Sequence, residues 1–160
     1  GLGDVYKRQD IARRTGRRLD IAGIVQDERY FREEIEPHVD GDRVRYLGPV
    51  TVAERAEVLG GAHALLHLID FDEPFGYSVV EAMACGTPVI AHDRGSMREL
   101  IDHGTTGFLV SDPEGAATAV DAAAGLDRIA IRDIAVSRFD TTTMIDRYVA
   151  VYREMLDPTP

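Results

Sequence analysis

Two carboxylates set around a glycine carry the most specific chemistry in the chain. Glu73 opens the run Glu73–Pro74–Phe75–Gly76, and Glu81 follows with seven residues between the two glutamates. An apolar stretch, ALLHLI (64–69), precedes them, and GYSVVEAMACG (76–86) follows. The pattern is a strand, a short acidic loop and a helix. The first amides of a helix lack intrahelical partners and lie at the positive end of its dipole, which suits them to phosphate. Gly76 has no Cβ, so a ligand can approach the backbone closely. A carboxylate accepts hydrogen bonds from two adjacent hydroxyls. Glu73 before the helix and Glu81 in its second turn therefore suit the diols of a ribose or a hexose. Phosphate on the amides with sugars on the flanking carboxylates describes a nucleotide sugar. Taken singly, a glutamate on a helix is more often a solvated or ion-paired surface residue, and helix-starting glycines are common.

The elements that must hold these groups alternate along the chain. Short β-like runs fall at RLDIAGIV (18–25), RVRYLG (43–48), ALLHLI (64–69), PVIA (88–91) and GFLV (107–110). Helical stretches separate them, including the polar DERYFREEIEPH (27–38). Thr51 with Glu54, and Ser96 with Glu99, have the three-residue spacing of a capping box. Gly86 is placed to close the helix that carries Glu81. In the last helix Ile145, Tyr148, Val149 and Tyr152 share one apolar face, expected to pack into the core. Strands joined by helices imply βαβ units, a parallel sheet and right-handed crossovers. The expected fold class is α/β, a doubly wound Rossmann-like parallel sheet of about five strands, with ligands beyond the carboxyl ends of those strands.

Composition narrows the function further. With 160 residues, 44% hydrophobic and 29% charged, the chain suits one globular domain. A formal charge of −10 argues against a broad nucleic-acid interface, which needs Lys and Arg to neutralise phosphates. The single cysteine, Cys85, excludes an intrachain disulfide and fits a reducing cytoplasm; a small buried thiol is expected there. No stretch reaches the ~20 apolar residues of an integral membrane segment, and no secretory signal is evident. The first nine residues, GLGDVYKRQ, resemble a translated sequencing-adapter tail. A domain over 10–156 is therefore expected, with 1–9 as a non-native tail, 157–160 as a C-terminal tail, and a natural chain continuing upstream. His63 and His67 share a strand face, but no third ligand of suitable spacing accompanies them, so no metal site is assigned. Asp70, Asp72 and Arg98 are expected at the solvent surface.

Glu73–Pro74–Phe75–Gly76, Glu81 and the following AMACGTPVIA (82–91) resemble the signature of the family-4 retaining glycosyltransferases. Arg94–Gly95–Ser96, Glu99, Gly104 and GFLV (107–110) continue the match, and Ala22–Gly23 and Leu47–Gly48 extend it upstream. The resemblance implies the C-terminal, donor-binding half of a GT-B architecture, two Rossmann-like domains facing a cleft. It implies that Glu81 holds the ribose hydroxyls and that Glu73, the candidate catalytic group, contacts the donor sugar near its anomeric carbon. The amides of Phe75, Gly76 and Tyr77 would meet the sugar and distal phosphate. Gly48 and Val50 would lie against the base, and Gly95 and Ser96 would close another edge. The donor would be a UDP-, GDP- or ADP-sugar, no cofactor or bound metal would be needed, and anomeric configuration would be retained.

The family's Arg and Lys on the first strand and loop, which contact the diphosphate, find no counterpart in Lys7 or Arg8. The N-terminal acceptor-binding domain is the expected partner, and the isolated fragment is expected to turn over poorly. A cytoplasmic enzyme is implied, open to peripheral membrane association at full length. The rivals are a sugar-nucleotide epimerase of the same fold and a non-catalytic nucleotide-binding fragment; the spacing of the glutamates favours the transferase. RGSMREL (94–100) is most like a subgroup linked to antibiotic or pterin glycosylation.

Overall fold

The computed structural model describes residues 5–156, so the expected tail 157–160 and the first four residues lie outside the described residues. The five strands form where the apolar runs place them: β1 (Leu19–Ala22), β2 (Val44–Gly48), β3 (Leu65–His67), β4 (Val89–His92) and β5 (Gly107–Val110). The helices are α1 (Val5–Thr15), α2 (Glu28–Tyr30), α3 (Val52–Gly61), α4 (Tyr77–Ala84), α5 (Met97–Leu100), α6 (Pro113–Ala122), α7 (Arg128–Phe139) and α8 (Thr141–Leu156). Asp27 caps α2 by accepting from the amides of Arg29 and Tyr30. The stretch expected as one helix then changes pitch, through a π turn (Phe31–Ile35) and a 3₁₀ turn (Glu36–His38) that carries Pro37.

All paired strands are parallel, but their hydrogen-bond ladder divides in two. β1 pairs with β2, and β3, β4 and β5 form a separate sheet in that order. The expectation of one continuous sheet is corrected to this extent. A cavity of about 780 Å³ lies between the two ladders, lined by Leu19 and Ile21 of β1, Leu65 and Leu66 of β3, and Ile11 of α1. The strand residues along it are only half-buried, whereas Val89, Ile90 and Ala91 of β4 are fully buried.

β4 shows why the fold is doubly wound. Side chains alternate across a strand, so Val89 and Ala91 join a core with Val79 and Met83 of α4 and Ile131 of α7, while Ile90 joins Ile11 of α1 and Ala116, Ala119 and Val120 of α6. Arg128 ties α7 to the rest of the domain, its guanidinium donating to the carbonyls of Gly60 and Ala62 and to the Thr87 hydroxyl at 2.8, 2.8 and 2.9 Å.

α1 runs through Asp10 and buries Val5 and Gln9. Two further expectations change. Cys85 is half-buried rather than buried. The apolar face of α8 is not core: Ile145, Tyr148, Val149 and Tyr152 are 50, 58, 37 and 59% exposed. The helix packs against α7, and none of its residues is buried. A periodic stripe shows that a helix has one apolar face without showing what covers it. Among the described residues no helix is long and apolar enough to cross a membrane.

Candidate donor-binding site

The acidic loop between β3 and α4 delivers its backbone amides to the expected edge of the fold. Gly76 is the N-cap of α4 with φ 100° and ψ 63°. A Cβ there would be strained and would stand 2.9 Å from the Met97 Cε, so only glycine suits the position. The amides of Phe75, Gly76 and Tyr77 make no hydrogen bond among the described residues. They remain donors at the positive end of a helix whose Val79, Ala82 and Met83 face the core. Phe75 and Tyr77 are 38 and 77% exposed, their rings in edge contact at 5.1 Å. At the other end of α4, Gly86 (φ 73°) donates to the Met83 carbonyl and Thr87 to the Ala82 carbonyl, at 2.8 and 2.9 Å, which closes the helix as the sequence indicates.

Glu81 lies half-buried on the outer side of α4 and pairs with Arg55 of α3, Nη2 to Oε1 at 3.0 Å. Arg55 is placed by the turn before α3. There the Thr51 hydroxyl accepts from the Glu54 amide at 3.3 Å, and the Glu54 carboxylate accepts from the Thr51 amide at 2.7 Å, the expected capping box. These hydrogen bonds hold the Glu54 carboxyl below its usual pKa. Gly48, at φ 71°, ends β2 and accepts from the Gly23 amide at 2.9 Å; Val50 follows it, half-buried. The Gly48–Val50 turn and Glu81 are thus linked through α3.

The turn after β4 reaches the acidic loop directly. The Ser96 amide donates to the Glu73 carbonyl at 3.0 Å and its hydroxyl to the Phe75 carbonyl at 2.7 Å. The second expected capping box does not form, because the Ser96 hydroxyl leaves its own helix for that carbonyl across the sheet edge. Gly95, at φ 57°, packs so tightly that a Cβ would stand 2.7 Å from the Glu73 nitrogen. Arg94 donates to the Asp70 carbonyl and pairs with Asp72 at 3.3 Å. Arg98 pairs with Asp93 through two hydrogen bonds of 2.5 and 2.8 Å, on the exposed surface as expected, and that bond holds the Asp93 carboxyl below its usual range.

Every residue expected at the site therefore lies at or beyond the carboxyl end of a parallel strand: Gly48 at the end of β2 with Val50 after it, Glu73 to Glu81 after β3, and Gly95 and Ser96 after β4. The site is an open face of the domain. Neither the cavity between the ladders nor one of about 550 Å³ beside α6 is lined by Glu73 or Glu81. Two residues with no role assigned from the sequence touch the motif: Arg55, not singled out there, and Arg94, named only as part of the resemblance. Nothing in their local spacing marks them, since both contacts cross between separate elements. Below the loop, His67 ends β3 with its Nε2 buried and without a hydrogen-bond partner among the described residues, and burial, with Arg8 nearby, pushes its pKa down to about 4. His63 is occupied by the Val120 carbonyl at 2.7 Å.

The family model described as "Glycosyl transferases group 1" matches residues 4–127. The chain belongs to this family. The chain is 38% identical over 95 residues to a D-inositol 3-phosphate glycosyltransferase of Pseudarthrobacter chlorophenolicus, covering 58% of this chain and 22% of that protein. It is 33% identical over 134 residues to a phosphatidyl-myo-inositol mannosyltransferase of Mycobacterium leprae, covering 79% of this chain and 35% of that one. Among solved structures, AviGT4, a glycosyltransferase involved in avilamycin A biosynthesis, superposes with a TM-score of 0.77 at 28% identity, covering 99% of this chain and 49% of that one. Anabaena HepE in complex with UDP-glucose shares the fold, with a TM-score of 0.77 at 23% identity over 93% of this chain and 44% of HepE. The group 1 glycosyl transferase fold of this chain is thus one part of a GT-B architecture, and the chain spans less than half the length of the relatives it matches.

Proposed function

We propose that this chain is the donor-binding half of a retaining glycosyltransferase, which transfers a sugar from a nucleoside-diphosphate sugar to an acceptor held by another domain. The observation that carries the reading is the set of amides at Phe75, Gly76 and Tyr77, unpartnered among the described residues and flanked by Glu73 and Glu81 at one edge of the parallel strands. The amides take the distal phosphate and sugar. Glu81, already oriented by Arg55, takes the ribose diol. Glu73 meets the sugar hydroxyls near the anomeric carbon, and Gly48 and Val50 border the base. The bond from anomeric carbon to diphosphate breaks as the acceptor oxygen bonds on the same face, and the acceptor's proton passes to the departing diphosphate oxygen. Charge growing on the leaving diphosphate is stabilised by fixed amides and cationic groups, without need of a bound metal.

An open face fits one wall of a cleft that a second domain closes. The gap between the ladders bears on the rest of the polypeptide. We assign that space to a strand upstream of α1 in the longer protein, where the family's diphosphate-binding Arg and Lys are expected.

Calorimetric titration of UDP, GDP, ADP and their glucose and mannose conjugates tests the reading. It should be run on this chain and on a version extended by its upstream segment. One nucleotide should saturate, and Glu81→Gln should weaken it about 10- to 100-fold, the worth of hydrogen bonds to a charged group. Glu73→Gln should weaken the sugar conjugate selectively. Binding of the nucleotide that ignores Glu81→Gln would remove the ribose assignment, and silence of the extended chain would remove the donor site.

A further inference from the structure

We propose that Arg94 is a positioning residue for Glu73: the turn Arg94–Gly95–Ser96 fastens the acidic loop by its carbonyls, so that its carboxylate and amides are presented to the donor sugar. The inference rests on the donor-site reading above and adds a residue to it.

The loop from Ile69 to Phe75 is irregular, and four of its carbonyls are met by the end of β4 and the turn that follows it. His92 Nδ1 lies 3.0 Å from the Ile69 carbonyl. Arg94 donates to the Asp70 carbonyl, the Ser96 amide to Glu73 and the Ser96 hydroxyl to Phe75. Four acceptors of one loop thus face one neighbouring segment, while the amides of Phe75, Gly76 and Tyr77 are left for a ligand. Arg94 does two things within this set. It bridges the Asp70 carbonyl and the Asp72 carboxylate, fixing the stretch immediately before Glu73. It also places a cation beside the Asp72 carboxylate, next to Glu73, as Lys7 does beside the Asp70 carboxylate. Both partners of the Arg94–Asp72 pair are well exposed, with side chains 42 and 76% accessible, so the pair adds little to global stability. Its effect is on where the loop sits. Gly95 makes this possible, since any side chain would collide with the Glu73 backbone.

The test is Arg94→Met, which keeps the apolar stem and removes the cation, with Arg94→Lys as the conservative variant. Titrations would use UDP, GDP and ADP with their glucose conjugates. The expected result is a loss of about tenfold in affinity for the sugar conjugate, while the parent nucleotide changes less than twofold, because the ribose is held by Glu81 on α4. Arg94→Lys should recover part of the loss. In the free protein, chymotrypsin should cut at Phe71 and Phe75 about tenfold faster in Arg94→Met, as the loop opens without global unfolding. Equal losses for nucleotide and conjugate, or unchanged cleavage, would overturn the role given to Arg94. Failure of the unmutated, upstream-extended protein to bind any of the six ligands would overturn the donor site itself, and the purpose assigned to Arg94 with it.

Discussion

Lowering the pH from 7.5 to 5 should cost the protein about 2 kcal/mol through one side chain, His67. Its Nε2 is buried with no hydrogen-bond partner among the described residues. Desolvation disfavours the imidazolium and moves the folded-state pKa from 6.5 to about 4. The unfolded chain therefore takes up a proton below about 6.5 that the folded protein refuses until about 4. Stability from this group is fully present above pH 6.5, falls through the interval, and is exhausted near pH 4. The slope inside the interval is at most 1.36 kcal/mol per pH unit, which gives about 2 kcal/mol by pH 5. Other groups titrate too, so the assay is a difference. Urea unfolding followed by circular dichroism would compare the natural chain with His67→Leu, which fills a similar volume and cannot protonate. The variant should gain about 2 kcal/mol relative to the natural chain between pH 7.5 and 5, with m unchanged. A difference that stays flat across that range would refute the reasoning, because a His67 that charges as easily in the folded protein as in water is not buried without a partner.

Gly107→Ala should destabilise by about 3 kcal/mol, because the new Cβ would stand 2.0 Å from the Val89 carbonyl oxygen and β4 and β5 would have to part. A thermal melt should register a drop of roughly 10 °C. Arg55→Met should change stability by less than about 1 kcal/mol, since Arg55 and Glu81 are both partly exposed. A double-mutant cycle with Glu81→Gln, repeated at 1 M salt, checks this by showing a small coupling that salt removes. Glu81→Gln and Arg94→Met, described above, are expected instead to leave stability nearly intact and to act on the ligand.

The sequence by itself determined the features that depend on near neighbours. Five apolar runs became five strands, because alternating or continuous burial is written in consecutive side chains. The Thr51–Glu54 box and the Gly86 closure formed as read, since residues three or four apart on a helix end meet whatever lies around them. The strand–loop–helix around Gly76 was legible for the same reason, and with it the edge of the sheet to which Glu73 and Glu81 belong.

Only the tertiary structure decided the rest. Ser96 and Glu99 have the same spacing as Thr51 and Glu54, yet the Ser96 hydroxyl goes to Phe75, 21 residues away, because the acidic loop brings a carbonyl within reach. Arg55 and Arg94 find Glu81 and Asp72 across elements, and no local pattern marks either pair. The stripe on α8 announced an apolar face, but its exposure depends on what packs there. Five parallel strands were expected to make one sheet, and whether β1 and β3 touch was settled by the space between them. Local backbone geometry limits what adjacent residues can do, so sequence fixes it early. Contacts between distant residues form only where packing brings two segments together, and that depends on the whole chain at once.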